Sequence, residues 1–131
     1  MKNSKNGLRV IIGLGKTGLS VAKYFKQKNV PFILFDTRIN PPNLATFKTN
    51  FPDVDCYTGS IDQYLLTQAE EIIVSPGVDA TAEVFNEARE KNIPIVGDVE
   101  LFAREASVPI CAITGSNGKS TVTNLVNAMA N

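Results

Sequence analysis

The 131-residue sequence has no histidine and no tryptophan, and only two methionines and two cysteines. Without histidine, Ser-His-Asp triads and histidine-ligated metal sites are excluded within these residues. Cys56 and Cys111 each stand alone inside apolar stretches, so they read as reduced core thiols and not as a disulfide framework. An excess of either charge is missing too. The 13 Lys+Arg balance 13 Asp+Glu, which argues against a broad electrostatic grip on nucleic acid or an anionic membrane surface. No apolar run approaches the roughly 18–20 residues that span a bilayer. Residues 1–7 have the charge of a signal peptide, but the short apolar run after them gives way to glycines. A cytoplasmic protein is expected. What is present, 44% hydrophobic and 20% charged, is the composition of a soluble globular domain.

Residues 8–12 form a short β-branched run that stops at Gly13, as a buried parallel strand should. Over residues 17–28 the apolar positions move to helical spacing. Leu19, Ala22, Tyr24 and Phe25 share a face, with Lys23, Lys26 and Lys28 outside it. Pro31 closes that element, and residues 32–35 give a second strand ending at Asp36. Asn40-Pro41-Pro42-Asn43 is a turn. Pro52 argues against a long helix before a third strand expected over 54–57. Ser60-Ile61-Asp62-Gln63 fits a capping box and predicts a helix from Ser60. Residues 71–74 make a fourth strand, stopped by Ser75-Pro76-Gly77. A helix is expected over 80–91 with Val84, Phe85 and Ala88 inward, then a fifth strand over 93–96. Asp98 can cap a helix over 99–106. Residues 110–113 give a sixth strand, followed by a glycine-containing loop and a helix with the stripe Val122, Leu125, Val126 and Met129.

Strands alternating with helices predict an α/β fold built on a parallel sheet flanked by helices. In such sheets ligands sit beyond the carboxyl ends of the strands. The last helix lacks a C-cap glycine, and the sixth strand opens a unit whose remaining strands are missing. The front end of a longer protein is expected.

Gly13-x-Gly15-x-x-Gly18 follows a strand and opens a helix, and Asp36 ends the next strand eighteen positions past Gly18. This is the setting of a dinucleotide fingerprint, in which glycines bring helix N-terminal amides up to phosphate oxygens. The plainer reading is that the glycines serve only close packing of helix on strand. The acid could read a ribose or a base. Lys16 adds positive charge to the loop or is simply solvated. Asp36-Thr37-Arg38 offers an acceptor, a hydroxyl and a guanidinium, suited to a base, a sugar or a phosphate, or else a loop salt bridge. Ser75-Pro76-Gly77 ends a strand at the same edge, and taken alone it is only a turn.

The strongest signal is Thr114-Gly115-Ser116-Asn117-Gly118-Lys119-Ser120-Thr121, between an apolar strand and an amphipathic helix. The common P-loop has a glycine where Ile113 stands, so the match is to a shorter Gly-x-x-Gly-Lys-Ser variant. It keeps backbone donors around an anion, Lys119 toward the outer phosphates and Ser120 as a Mg²⁺ ligand. The competing reading is a glycine-rich turn capping a helix.

An early glycine loop paired with this later Lys119 loop resembles the Mur ligases of peptidoglycan synthesis. Four stretches resemble the branch that adds D-glutamate. They are Ile12-Gly13-Leu14-Gly15-Lys16-Thr17-Gly18-Leu19-Ser20, Asp36-Thr37-Arg38 with Pro41-Pro42, Ser75-Pro76-Gly77, and Gly97-Asp98-Val99-Glu100-Leu101-Phe102. The resemblance implies a Rossmann-like domain over residues 1–97 that holds the UDP end of a sugar nucleotide. Residues 98–131 would be a linker helix and the truncated start of a central ATP-binding domain. Gly15, Lys16 and Thr17 would meet the diphosphate. Asp36, Thr37 and Arg38 would surround the uracil, and Ser75, Pro76 and Gly77 would line the same pocket. Lys16 stands where the family pattern has an apolar residue, so what carries over there is a backbone role. Gly115, Ser116, Asn117, Gly118, Lys119, Ser120 and Thr121 would bind ATP, with Lys119 on the phosphates as the catalytic group and Ser120 or Thr121 near Mg²⁺.

The implied reaction is ATP-driven amide formation. The carboxylate of UDP-N-acetylmuramoyl-L-alanine attacks the γ-phosphate to give an acyl phosphate, and the D-glutamate amine then displaces phosphate. The family's further metal ligands, its modified lysine and its D-glutamate-binding domain fall beyond Asn131, so this stretch would bind nucleotide without turning over. The whole protein is expected to be a cytoplasmic monomer. Three alternatives stay open. An NAD-binding Rossmann module leaves the Lys119 loop unexplained, and a P-loop regulator leaves the Asp36 pocket idle. The third is a non-catalytic chain whose last strand and helix pack on another copy.

Overall fold

A computed structural model describes residues 7–105. The expected sixth strand, the 114–121 loop with every ATP-site residue, the helix after it and Cys111 lie outside them. Five short strands, β1 (Arg9–Ile12), β2 (Phe32–Asp36), β3 (Cys56–Thr58), β4 (Glu71–Val74) and β5 (Ile95–Gly97), form one sheet in the order β3-β2-β1-β4-β5. Every pairing is parallel, and Ile12 lies between Phe35 and Val74. All strands therefore finish at one edge. The chain runs from β1 out to β3 on one side, then returns to β4 on the other side of β1. That reversal opens a crevice beyond the ends of β1 and β4.

β2 and β4 are buried along their whole length, which is why their sequences run apolar without alternation. The period-2 geometry of strands sends alternate residues to opposite faces. Ile11, Leu34 and Ile73 join the core beneath α1 (Lys16–Gln27), α2 (Leu44–Asn50) and α5 (Asp98–Glu105). Val10, Ile12, Ile33, Phe35, Ile72 and Val74 pack on the other face, with Leu66 of α3 (Gln63–Thr67) and Ala88 of α4 (Asn86–Glu90). The few aromatics are concentrated. Tyr24, Phe25, Phe32, Phe51 and Phe47 make a chain of ring contacts with centroids 5.0–5.9 Å apart.

The expected α1 face is observed with Ala22 and Phe25 buried and Leu19 and Tyr24 partly so; Val21 and Gly18 complete it. Strand three sits slightly later than expected, and α2 fills a segment the sequence left unassigned. The helix expected from Ser60 starts later, because the Asp62 carboxylate accepts the amides of Tyr64 and Leu65 and is the cap itself. Asp98 likewise lies inside the first turn of α5. The helix expected over 80–91 is shorter. A 3₁₀ turn at Glu83–Phe85 leads into α4, and residues 79–82 form a separate turn. The Ala80, Thr81 and Ala82 carbonyls accept from the Arg89 guanidinium, and that of Ala82 also accepts the Phe85 amide that opens the 3₁₀ turn. Val84 is partly buried, while Phe85 and Ala88 are buried as expected.

Candidate functional site

A cavity of about 660 Å³ opens at the carboxyl edge, at the reversal point of the sheet. Three chain segments wall it: the loop from β1 into α1, the end of β2, and the segment after β4. Gly15, Lys16 and Thr17 line it from the first, Asp36, Thr37 and Arg38 from the second, and Ser75, Pro76 and Gly77 from the third. The nine candidate residues on these segments, up to 62 positions apart, thus share one hollow.

The three loop glycines do different work. Gly13 has φ +107°, where an L side chain is strained, and Ser75 sits against it. At Gly18 a Cβ would lie 2.0 Å from the Gly13 carbonyl oxygen, so backbone meets backbone and α1 can begin close against β1. A Cβ at Gly15 would meet nothing within 4 Å. Gly15 is therefore not a packing glycine. It keeps clear the approach to the first turn of α1, which has neither a side-chain cap nor an acidic residue. Amides at such a helix start, with the macrodipole behind them, suit an anion, and the exposed Lys16 adds a charge at the lip.

Asp36 is 3% exposed and fully engaged by protein donors. Oδ2 accepts the Leu14 amide at 2.7 Å and Arg38 Nη2 at 2.7 Å. Oδ1 accepts the Arg38 amide at 2.8 Å and Arg38 Nε at 2.9 Å. The Arg38 guanidinium first, then the two backbone amides, hold this carboxyl down to about 2 against the burial that opposes its ionisation. A carboxylate has about four lone-pair sites, so none is left for a ribose diol. Asp36 ties the end of β2 to the glycine loop. Gly59 completes that end by donating its amide to the carbonyls of Asp36 and Arg38.

The third wall is a run of turns. Ser75 donates its amide to Ile12 and accepts that of Val78, leaving Pro76 and Gly77 exposed at the rim. Asp79 Oδ1 accepts the amide and hydroxyl of Thr81, and these bonds lower the Asp79 pKa. Ile61, Val78, Val84 and Phe85 supply an apolar side that the sequence reading did not assign to the site. Ile61 and Val78, a few residues past the ends of β3 and β4, could have been suggested by position, whereas Val84 and Phe85 enter from the 3₁₀ turn at Glu83–Phe85. A second hollow of about 430 Å³ lies between α1 and α5, mostly apolar, and meets the first at Lys16 and Thr17.

Residues 7–97 match the model of the Mur ligase MurD-like N-terminal domain. The chain belongs to that family. Among its relatives, the UDP-N-acetylmuramoylalanine–D-glutamate ligase of Pseudomonas aeruginosa is 48% identical over 122 residues, covering 93% of this chain and 27% of the relative. The ligase of the same name from Legionella pneumophila (strain Paris) is 47% identical over 125 residues, covering 95% of this chain and 28% of the relative. The chain thus spans about a quarter of the length of these curated relatives. In fold it is similar to a pseudomurein peptide ligase type C from Methanothermus fervidus, with TM-score 0.63, 23% identity, and coverage of 93% of this chain and 25% of that one.

In this MurD-like domain the sugar-nucleotide candidates converge, whereas the ATP-loop candidates lie outside the described residues. Among the described residues no group of three or more His, Cys, Asp or Glu side chains is placed to hold a metal ion, and no helix is long and apolar enough to cross a membrane. Cys56 is a free, half-buried thiol at the edge of the core, its pKa raised mainly by burial.

Proposed function

We propose that this domain holds the uridine diphosphate end of UDP-N-acetylmuramoyl-L-alanine, at the front of a cytoplasmic, ATP-dependent ligase that adds D-glutamate through an acyl phosphate. One observation carries the reading: three segments matching the family pattern meet around a single cavity at the reversal point of a parallel sheet. The start of α1, with Gly15, Lys16 and Thr17, is the diphosphate end. The β2 end, with Thr37 and Arg38 ordered by Asp36, is the base end, and Ser75, Pro76 and Gly77 close the opposite wall. Residues 98–131 comprise a linker helix and the truncated start of a central ATP-binding domain. There Gly115, Ser116, Asn117 and Gly118 cradle the phosphates, Lys119 neutralises charge on them, and Ser120 or Thr121 faces Mg²⁺.

The saturated Asp36 carboxylate counts against an NAD module, which needs that acid for a ribose. Calorimetric titration of the chain with UDP and with NADH tests the reading. Binding of UDP and not of NADH is expected; the reverse pattern would remove it.

A further inference from the structure

The third wall of the cavity has little regular structure to hold it, and its support comes from outside the cavity. Arg89, on α4, does not line the hollow. Its Nη1 donates to the Ala80 carbonyl at 2.6 Å, and its Nη2 donates to those of Thr81 at 3.2 Å and Ala82 at 3.0 Å and to Asn86 Oδ1. Three successive main-chain carbonyls are thus gathered on one guanidinium. The planar fork of arginine suits this task, and a lysine ammonium, a compact point charge, cannot reproduce it. The inner side of the same turn faces the cavity through Asp79 and Ala82, with Val84 and Phe85 just beyond. The turn's own bonds are short-range: Asp79 to Thr81, and the Ala82 amide to the Asp79 carbonyl. Beyond them, Ala80 and Ala82 pack non-directionally against the core and the Ala82 carbonyl accepts the Phe85 amide. Arg89 supplies the side-chain hydrogen bonds that hold all three carbonyls to α4, whose Ala88 is buried in the core.

We propose that Arg89 is a positioning residue for the nucleotide site, setting affinity by fixing the wall at residues 79–82 while touching no ligand. This rests on the reading of the cavity as a UDP site. The test compares the chain with its Arg89→Lys and Arg89→Met variants by UDP calorimetry, thermal unfolding and amide hydrogen exchange. Arg104→Met serves as the control. It loosens α5 by removing ion pairs to Glu71 and Glu100 that lie away from the cavity.

Both Arg89 variants should bind UDP about tenfold more weakly, as expected when a remote support is removed. Exchange should quicken at Thr81 and Ala82. Arg104→Met should melt earlier yet bind UDP as the unaltered chain does. Equal affinity in the Arg89 variants and the unaltered chain would overturn the inference. So would an equal loss in Arg104→Met, which would make the effect one of general stability. Failure of the unaltered chain to bind UDP would instead overturn the reading of the site.

Discussion

Among the described residues two charged side chains are buried, Asp36 and Glu71, at opposite edges of the same sheet. Both are carboxylates held by arginine. Asp36 sits at the carboxyl end of β2 and takes two backbone amides besides its ion pair to Arg38 at 2.7 Å. Glu71 sits at the amino end of β4, between Arg9 at 3.5 Å and Arg104 at 2.5 Å. The first organises two loops that face a cavity; the second pins α5 against the sheet. One chemistry therefore serves two ends. The end where strands finish has bent backbone to arrange and uses its buried charge to shape a site. At the other end a charge fastens a helix. Removing charge should cost stability at both edges but nucleotide binding at only one.

The largest effect is expected at Gly18. Gly18→Ala drives a Cβ into the Gly13 carbonyl and should cost about 3 kcal/mol as overpacking against backbone, read by urea unfolding. An unchanged midpoint would mean that the carboxyl edge does not depend on this close approach. Asp36→Asn comes next. It turns an acceptor of four donors into a group that presents its own N–H to them, at a cost of about 2.5 kcal/mol, and it should weaken UDP binding as well.

The pH dependence sharpens the same point. The folded pKa of Asp36 is about 2, below its usual value of 3.8, so the unfolded chain binds the proton more readily between the two. Its contribution is complete above about pH 4 and is lost as pH falls toward 2, a difference of about 2.5 kcal/mol. Asp36→Asn should abolish that part of the acid transition. Glu71→Gln should cost about 2 kcal/mol by removing the charge between its two arginines while leaving UDP affinity unchanged; a loss of affinity would erase the distinction between the edges. Smallest in stability is Gly15→Ala. Its φ of −100° and open surroundings predict a change within about 0.5 kcal/mol, yet the added methyl should impair UDP binding.

Much of the architecture was legible in the sequence because parallel strands buried on both faces are short apolar runs, and each here stops at a glycine or a polar residue. The site edge followed from that alone. What was not legible depended on contacts between distant or competing groups. α2 is a two-turn helix whose signal is little more than Leu44, Phe47 and Phe51 between prolines. Asp62 outcompeted Ser60 as a cap, a choice made by one carboxylate reaching two amides. Where a helix was expected from residue 80 there is a turn built on Asp79, and an arginine nine positions beyond Ala80 donates to the Ala80 carbonyl. The role of Asp36 as a loop organiser rests on four donors, and one of them, Leu14, comes from 22 residues away.

The most direct test of a uridine diphosphate site at the carboxyl edge is an amide chemical-shift map of the chain titrated with UDP. Shifts should concentrate at Gly15, Lys16, Thr17, Thr37, Arg38 and Gly77, around one cavity. Shifts confined to Tyr24, Val99 and Phe102 in the α1–α5 hollow, or no shifts at saturating UDP, would contradict it.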